Sequence, residues 1–211
     1  MVLKRAVCCL FALTLSSGIL MAEGPKVAHT NHTGPIKPAK MSPSGTTTIF
    51  SNLSTPSAAY NDTTGYYVLG PVNSVGLPEQ AIGVPFVAAA NAHVTQLYVA
   101  VQWISGTNLV KVGLYHDANG TVGSAMATGE VANVPAFGTC CQLPYVNIAS
   151  TEIKAGNQYW IVATSDDTNG DDFTGVFDAS NLAVIAGDVG GTGWSSFTTN
   201  TPAAAAKGTI P

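Results

Sequence analysis

The chain has 211 residues, of which 46 % are hydrophobic and only 9 % are charged, and its net charge is −4. That length suits one domain with flanking segments, and the apolar share excludes a disordered chain. The acidic balance and the lack of any basic patch exclude a nucleic-acid partner, whose phosphates need Lys and Arg.

Lys4 and Arg5 open the chain, and an apolar run of about 16 residues from Ala6 to Met21 follows, shorter than the roughly 20 needed to span a bilayer. Leu20-Met21-Ala22 then offers a small residue for cleavage, the third part of a secretory signal peptide. The sequence therefore predicts a signal peptide over 1–22 and a secreted or extracytoplasmic product with no stable membrane anchor in the mature chain. Losing Lys4 and Arg5 takes the net charge from −4 to −6. Residues 23–45 repeat Pro without apolar periodicity and read as a flexible N-terminal linker. His29 and His32 lie there three apart, too few ligands to hold a metal firmly.

From residue 46 the period is two. Thr46 to Phe50, Tyr66 to Leu69 and Ala81 to Val87 read as short strands. In the segment from Val94 to Trp103, Leu97, Val99, Val101 and Trp103 share one side, and Gln96, Tyr98 and Gln102 share the other, as in a strand with one face in the core. Val110, Val112 and Leu114 alternate with Lys111, Gly113 and Tyr115 in a second such strand. Pro144 to Ala149, Gln158 to Thr164, Phe173 to Phe177 and Trp194 to Thr198 supply more. Asn119-Gly120, Asn169-Gly170 and Gly190-Gly191 mark turns between them. Many short strands with Gly-rich turns and no amphipathic helix predict an all-β fold, a single jelly-roll-like antiparallel β-sandwich over 46–200. The stretch 201–211, TPAAAAKGTIP, lacks any amphipathic pattern and reads as an unpacked C-terminal tail.

Two stretches carry a resemblance, LVKVGLYHDANGTVGSAMAT and EIKAGNQYWIVA. With Leu114-Tyr115, the turn from Asp117 to Ser124, and Gly156 to Trp160 in place, the region 46–200 resembles the choice-of-anchor β-sandwich domains of exported bacterial proteins, most closely the R type. The segments TIFSNLSTP and FGTCCQL are similar to members of that group as well. The resemblance implies an exported surface or extracellular module and no established reaction. It departs from the family name in showing no C-terminal anchor.

The densest chemistry lies in the acidic turn from Asp166 to Asp172. Its simplest form is a hairpin with Asn169-Gly170 at the tip. Such a loop would set Asp167 opposite Asp172, and a hard cation would relieve that repulsion. Asp167, Asn169, Asp171 and Asp178 match positions 1, 3, 5 and 12 of a calcium loop, although Asp172 stands where that loop wants Gly. Calcium is thus the one cofactor to test.

Cys140 and Cys141 are the cysteines that survive signal removal, and an exported protein would oxidise them. The expected product is a vicinal disulfide between them, a strained one, because adjacent Cα atoms sit about 3.8 Å apart, below the usual disulfide range of roughly 4.4–6.8 Å. Buried free thiols, an intermolecular bridge, or one thiol on each face of a strand are the alternatives.

Tyr98, Tyr115, Trp160 and Trp194 are candidates for a sugar-stacking face among uncharged Asn and Thr side chains, set against the commoner fate of an aromatic anchor in the core. His116-Asp117 has no serine elbow or zinc motif to accompany it. These features predict a non-enzymatic module for surface binding or adhesion, with carbohydrate or a cell-envelope polymer as partner. The alternatives are a self-assembling envelope protein and a secreted glycoside hydrolase using Asp117, Glu130 or the acidic turn.

Overall fold

A computed structural model describes residues 29–31, 46–52, 64–137, 143–165 and 172–211. They form thirteen strands: β1 (His29–Asn31), β2 (Thr47–Ser51), β3 (Thr64–Leu69), β4 (Gln80–Val87), β5 (Ala92–Val99), β6 (Val101–Ser105), β7 (Leu109–Asp117), β8 (Val122–Ala132), β9 (Tyr145–Ile153), β10 (Gln158–Ser165), β11 (Asp172–Val189), β12 (Trp194–Pro202) and β13 (Ala204–Thr209). Among the described residues there is no helix. The larger sheet runs β1-β3-β11-β4-β10-β7-β8, with β6 and β12 also paired to β11, and the smaller runs β2-β13-β5-β9. The two antiparallel sheets face each other as a β-sandwich, as the alternation of side chains predicts.

That alternation builds the core. Val110, Val112 and Leu114 of β7 are buried and Lys111 between them is exposed. Tyr159, Ile161 and Ala163 of β10 and Ile82, Val84 and Phe86 of β4 complete the inner face of the larger sheet. Leu97, Val146, Ile148, Ala204 and Ala206 face them from the smaller. Phe50 joins the two layers by stacking on Phe86 with centroids 4.8 Å apart.

The segment from Val94 to Trp103 is two strands instead of one. It leaves the smaller sheet at Ala100 and enters the larger, and the chain makes the reverse passage at Ala203 between β12 and β13. Both alanines are buried, and the Ala100 N–H donates to the Ala203 carbonyl at 2.9 Å. Each corner turns inside the core, where a larger Cβ substituent would meet packed side chains. Asn52 secures the second corner. Its Nδ2 donates to the Pro202 carbonyl at 2.8 Å and its Oδ1 accepts the Ala204 N–H at 2.7 Å. Gln96, Tyr98 and Gln102 are buried as well, where alternation alone puts them toward water.

The C-terminal segment is a correction. Residues 201–211 are no loose tail: β13 lies between β2 and β5 at the middle of the smaller sheet, and Ala203 to Ala206 are fully buried. Both faces of this strand are covered, so the polar half of the usual alternation is missing. His29 to Asn31, within the segment read as linker, pair with β3 as the outermost strand of the larger sheet. β8 begins at Val122, inside the turn expected from Asp117 to Ser124, and runs on to Ala132. It pairs with β7 and crosses close over β9, where a Cβ on Gly129 would sit 2.6 Å from the Asn147 carbonyl oxygen.

Two outcomes follow from this packing. Deleting 204–211 removes the strand that joins β2 to β5, and the shortened chain should lose its cooperative thermal transition and its resistance to limited proteolysis. Gly129→Ala drives a methyl against backbone and should cost about 1–3 kcal/mol in denaturant unfolding.

Candidate functional site

The outer face of the larger sheet carries the candidate site. Trp160 pairs with Tyr115 on one side and Pro85 on the other, and Val162 lies between Gly113 and Gly83. Gly83 pairs in turn with Ala186, and Asp188 lies between Ala81 and Trp194. The missing side chains at Gly83 and Gly113 open a trough in which the aromatic rings lie. A Cβ on Gly83 would sit 2.8 Å from Val122, 3.3 Å from Trp160 and 3.6 Å from Trp194. A Cβ on Gly113 would strike the Tyr115 ring at 2.5 Å. Val122, Trp160, Val162 and Ala186 form the buried floor, with Tyr115 and Trp194 packed on it and half-exposed.

Beside Trp194 the face dips into a shallow pocket of about 160 Å³, with Glu79, Gln80, Thr164, Ser165 and Asp188 around it. Asp188 Oδ1 accepts the Gly193 N–H at 3.1 Å, which fixes the β11–β12 turn under the ring. Gly190 and Gly191 both have positive φ in that turn, as their sequence position predicts.

Asp117 organises the other end of the trough. Its Oδ1 accepts from Gln158 Nε2 at 2.7 Å and from Trp160 Nε1 at 2.8 Å, and its Oδ2 accepts the Gly120 N–H at 3.0 Å. Asn119 and Gly120 both have positive φ, 57° and 85°, at the tip of the β7–β8 hairpin. The hairpin reaches across to β12, where the Ser196 hydroxyl donates to the Gly120 carbonyl at 2.7 Å. Partial burial pushes the Asp117 carboxyl up. The hydrogen bonds from Gly120, Trp160 and Gln158 outweigh it and hold the group below the usual carboxylate range. These bonds tie the hairpin tip to β10, so Asp117, one of the carboxylates considered for a glycosidase, also serves the architecture. Glu130, the other carboxylate considered for that role, lies opposite Lys111 in the β7–β8 pair.

The motif residues around Gly156 are also tied together. Gly156 has a φ of 81°, and the Tyr159 hydroxyl accepts the Lys154 N–H at 2.9 Å. A cleft of about 480 Å³ opens there at the end of the sandwich, between His116, Met126, Glu152, Lys154 and Asn157. Met126 is left without a partner in the β7–β8 register, since Leu114 pairs with Ala127 and Tyr115 with Ala125. This bulge is the kind of irregularity that re-aims a side chain.

Of the four aromatic candidates, the structure brings three to one face and sets one apart. Trp160 is 0 % exposed and is the floor of that face, so it presents no ring to a ligand. Tyr98 is 2 % exposed on the outer side of the smaller sheet, stacked on Tyr145 at 5.3 Å with Lys207 Nζ 4.8 Å from its ring centroid. Both are corrected as stacking residues: burial of the ring faces removes them. Tyr115 and Trp194 stay partly exposed on one face. Tyr145, 38 % exposed, is an aromatic that sequence reasoning passed over. Its alternation with buried Val146 was the signal that would have found it.

Cys140 and Cys141 lie outside the described residues, as do Asp167, Asn169 and Asp171. Asp178 stands in β11 at a register shift, with its backbone opposite Thr201. Among the described residues no three His, Cys, Asp or Glu side chains are grouped to hold a metal. No described helix is long and apolar enough to cross a membrane. Compared with the models of known families, with curated proteins and with solved structures, the chain matches none. The likeness to the choice-of-anchor domains therefore rests on the residues quoted for it.

The depressed Asp117 carboxyl gives a pH prediction. A group whose folded pKa lies below its unfolded value, roughly 3.9 for Asp, stabilises the fold above that value and loses its contribution as pH falls through the folded one. Asp117→Ala should cost about 2 kcal/mol at neutral pH by leaving the buried Trp160 indole unpaired. The gap between wild type and variant should narrow in thermal melts as the pH is taken down below the unfolded value of roughly 3.9.

Proposed function

We propose that this chain is an exported, non-enzymatic β-sandwich module that binds carbohydrate on the outer face of its larger sheet. One observation carries the reading: the half-exposed Trp194 ring stands beside a shallow pocket edged by hydroxyl, amide and carboxylate groups. An indole face takes up the C–H side of a pyranose, while Thr164, Glu79 and Asp188 match the hydroxyls at its rim. The volume of about 160 Å³ suits one sugar ring of a longer chain lying across the trough. Tyr115, on the same outer face, supplies a second apolar surface.

The leader-like segment 1–22 and the resemblance of 46–200 to choice-of-anchor domains support a site of action outside the cytoplasm. A cell-envelope or extracellular polysaccharide is the partner class that this placement favours. Titration of the mature protein with soluble fragments of envelope polysaccharides, after a glycan-array screen, tests the reading. Trp194→Ala should weaken binding about tenfold, the effect of losing roughly 1.4 kcal/mol, and Tyr145→Ala on the opposite layer should leave it unchanged. Silence of the wild type on every glycan and polymer would overturn the proposal.

A further inference from the structure

The hairpin tip that Asp117 holds carries chemistry of its own. Asn119 and Gly120 are exposed, and a Cβ placed on Gly120 meets nothing within 4 Å, so the tip of the hairpin is open. An asparagine followed by an unscreened glycine is the arrangement in which a backbone nitrogen can reach the side-chain amide. What occupies this nitrogen is its hydrogen bond to Asp117 Oδ2 at 3.0 Å.

We infer that Asn119 is a self-modifying site, subject to succinimide formation and deamidation, and that the Asp117 carboxylate is the guard that holds it in check. In the reaction the Gly120 nitrogen attacks Asn119 Cγ. A bond forms between the two, the Cγ–Nδ2 bond breaks, and ammonia leaves with the proton that the Gly120 nitrogen gives up. Water then opens the ring at either carbonyl to leave aspartate or isoaspartate, so the net change is amide plus water to acid plus ammonia. No oxidant, metal or enzyme takes part. The first step needs the Gly120 nitrogen stripped of its proton and aimed at Cγ. A carboxylate that already accepts this N–H aims it elsewhere, and its negative charge opposes an amide anion. Gln158 and Trp160 hold Asp117 in place for that duty, so the guard is anchored in the core instead of floating on the loop.

The product is more than a label. It puts a negative charge beside Asp117. When the ring opens to isoaspartate it also lengthens the main chain of a tight turn whose Gly120 carbonyl is bonded to Ser196 of β12. Modification thus reaches the strand that carries Trp194.

Peptide mapping of aged protein tests the inference, reading the gain of one mass unit and the isoaspartyl fraction at Asn119. Folded wild type should convert at least about tenfold more slowly than the same chain in denaturant at equal pH and temperature, which is the worth of roughly one hydrogen bond to a charged group. Asp117→Ala, shown to be folded by circular dichroism, should approach the denatured rate. Tyr145→Ala, on the opposite layer and away from the hairpin, should keep the slow rate. Equal rates in folded and denatured wild type would overturn the guard whether or not Asp117→Ala folds. A folded Asp117→Ala that converts no faster than wild type would overturn it as well, by making the carboxylate a bystander or the base.

Discussion

A chain that passes from one sheet to the other through a dry core must satisfy its peptide groups on the way, because no water is there to do it. Here two passages lie side by side and satisfy each other, the Ala100 N–H bonding to the Ala203 carbonyl, with the Asn52 side chain closing the remaining gap. Everything else in the sandwich is hung from that crossing. β5 and β13 are neighbours in the smaller sheet because their partners β6 and β12 leave for the larger sheet at the same point. Alanine fits both corners since a longer side chain would have to displace packed core atoms. The aromatic trough depends on the same constraint, because β12 carries Trp194 and is positioned by the corner at its far end.

The polar order at the other end is local. Asp117 binds a turn, an amide and an indole at once, and so joins the hairpin, the first residue of β10 and the buried outer face. The residues that carry the likeness to choice-of-anchor domains are largely these, together with Gly156 and Tyr159 of the neighbouring turn. In this chain they form a set for a physical reason: each satisfies a buried or turning group of another. Such a motif speaks for architecture, and the ligand-facing residues lie beside it.

Much of this fold was legible in the residues. Val110, Val112 and Leu114 alternate cleanly and β7 is where they predict, with the Asn119-Gly120 turn following it in the left-handed conformation that pair favours. The losses have physical causes. The alanine run of β13 shows no alternation because both of its faces are covered, and alanine is a poor strand former by composition. β8 hides behind Gly and Ala that exist to let it pass close over β9. The aromatic site was half visible. Periodicity places Tyr115, Trp160 and Trp194 on strands, yet it cannot say that a hairpin folds back to cover Trp160, or that Tyr145 and Lys207 roof over Tyr98. Those are decisions of tertiary packing.

The position of β13 bears on how the molecule is made. Synthesis releases the chain from its first residue onward, and the strand that seals the middle of the smaller sheet is the last of the described strands to emerge. Until residue 209 is free of the ribosome, β2 and β5 have no neighbour between them and the hydrophobic centre has an open side. The layers therefore cannot shut one after the other during synthesis. They close together, late, around β13, and the centre is sealed only once that strand is present.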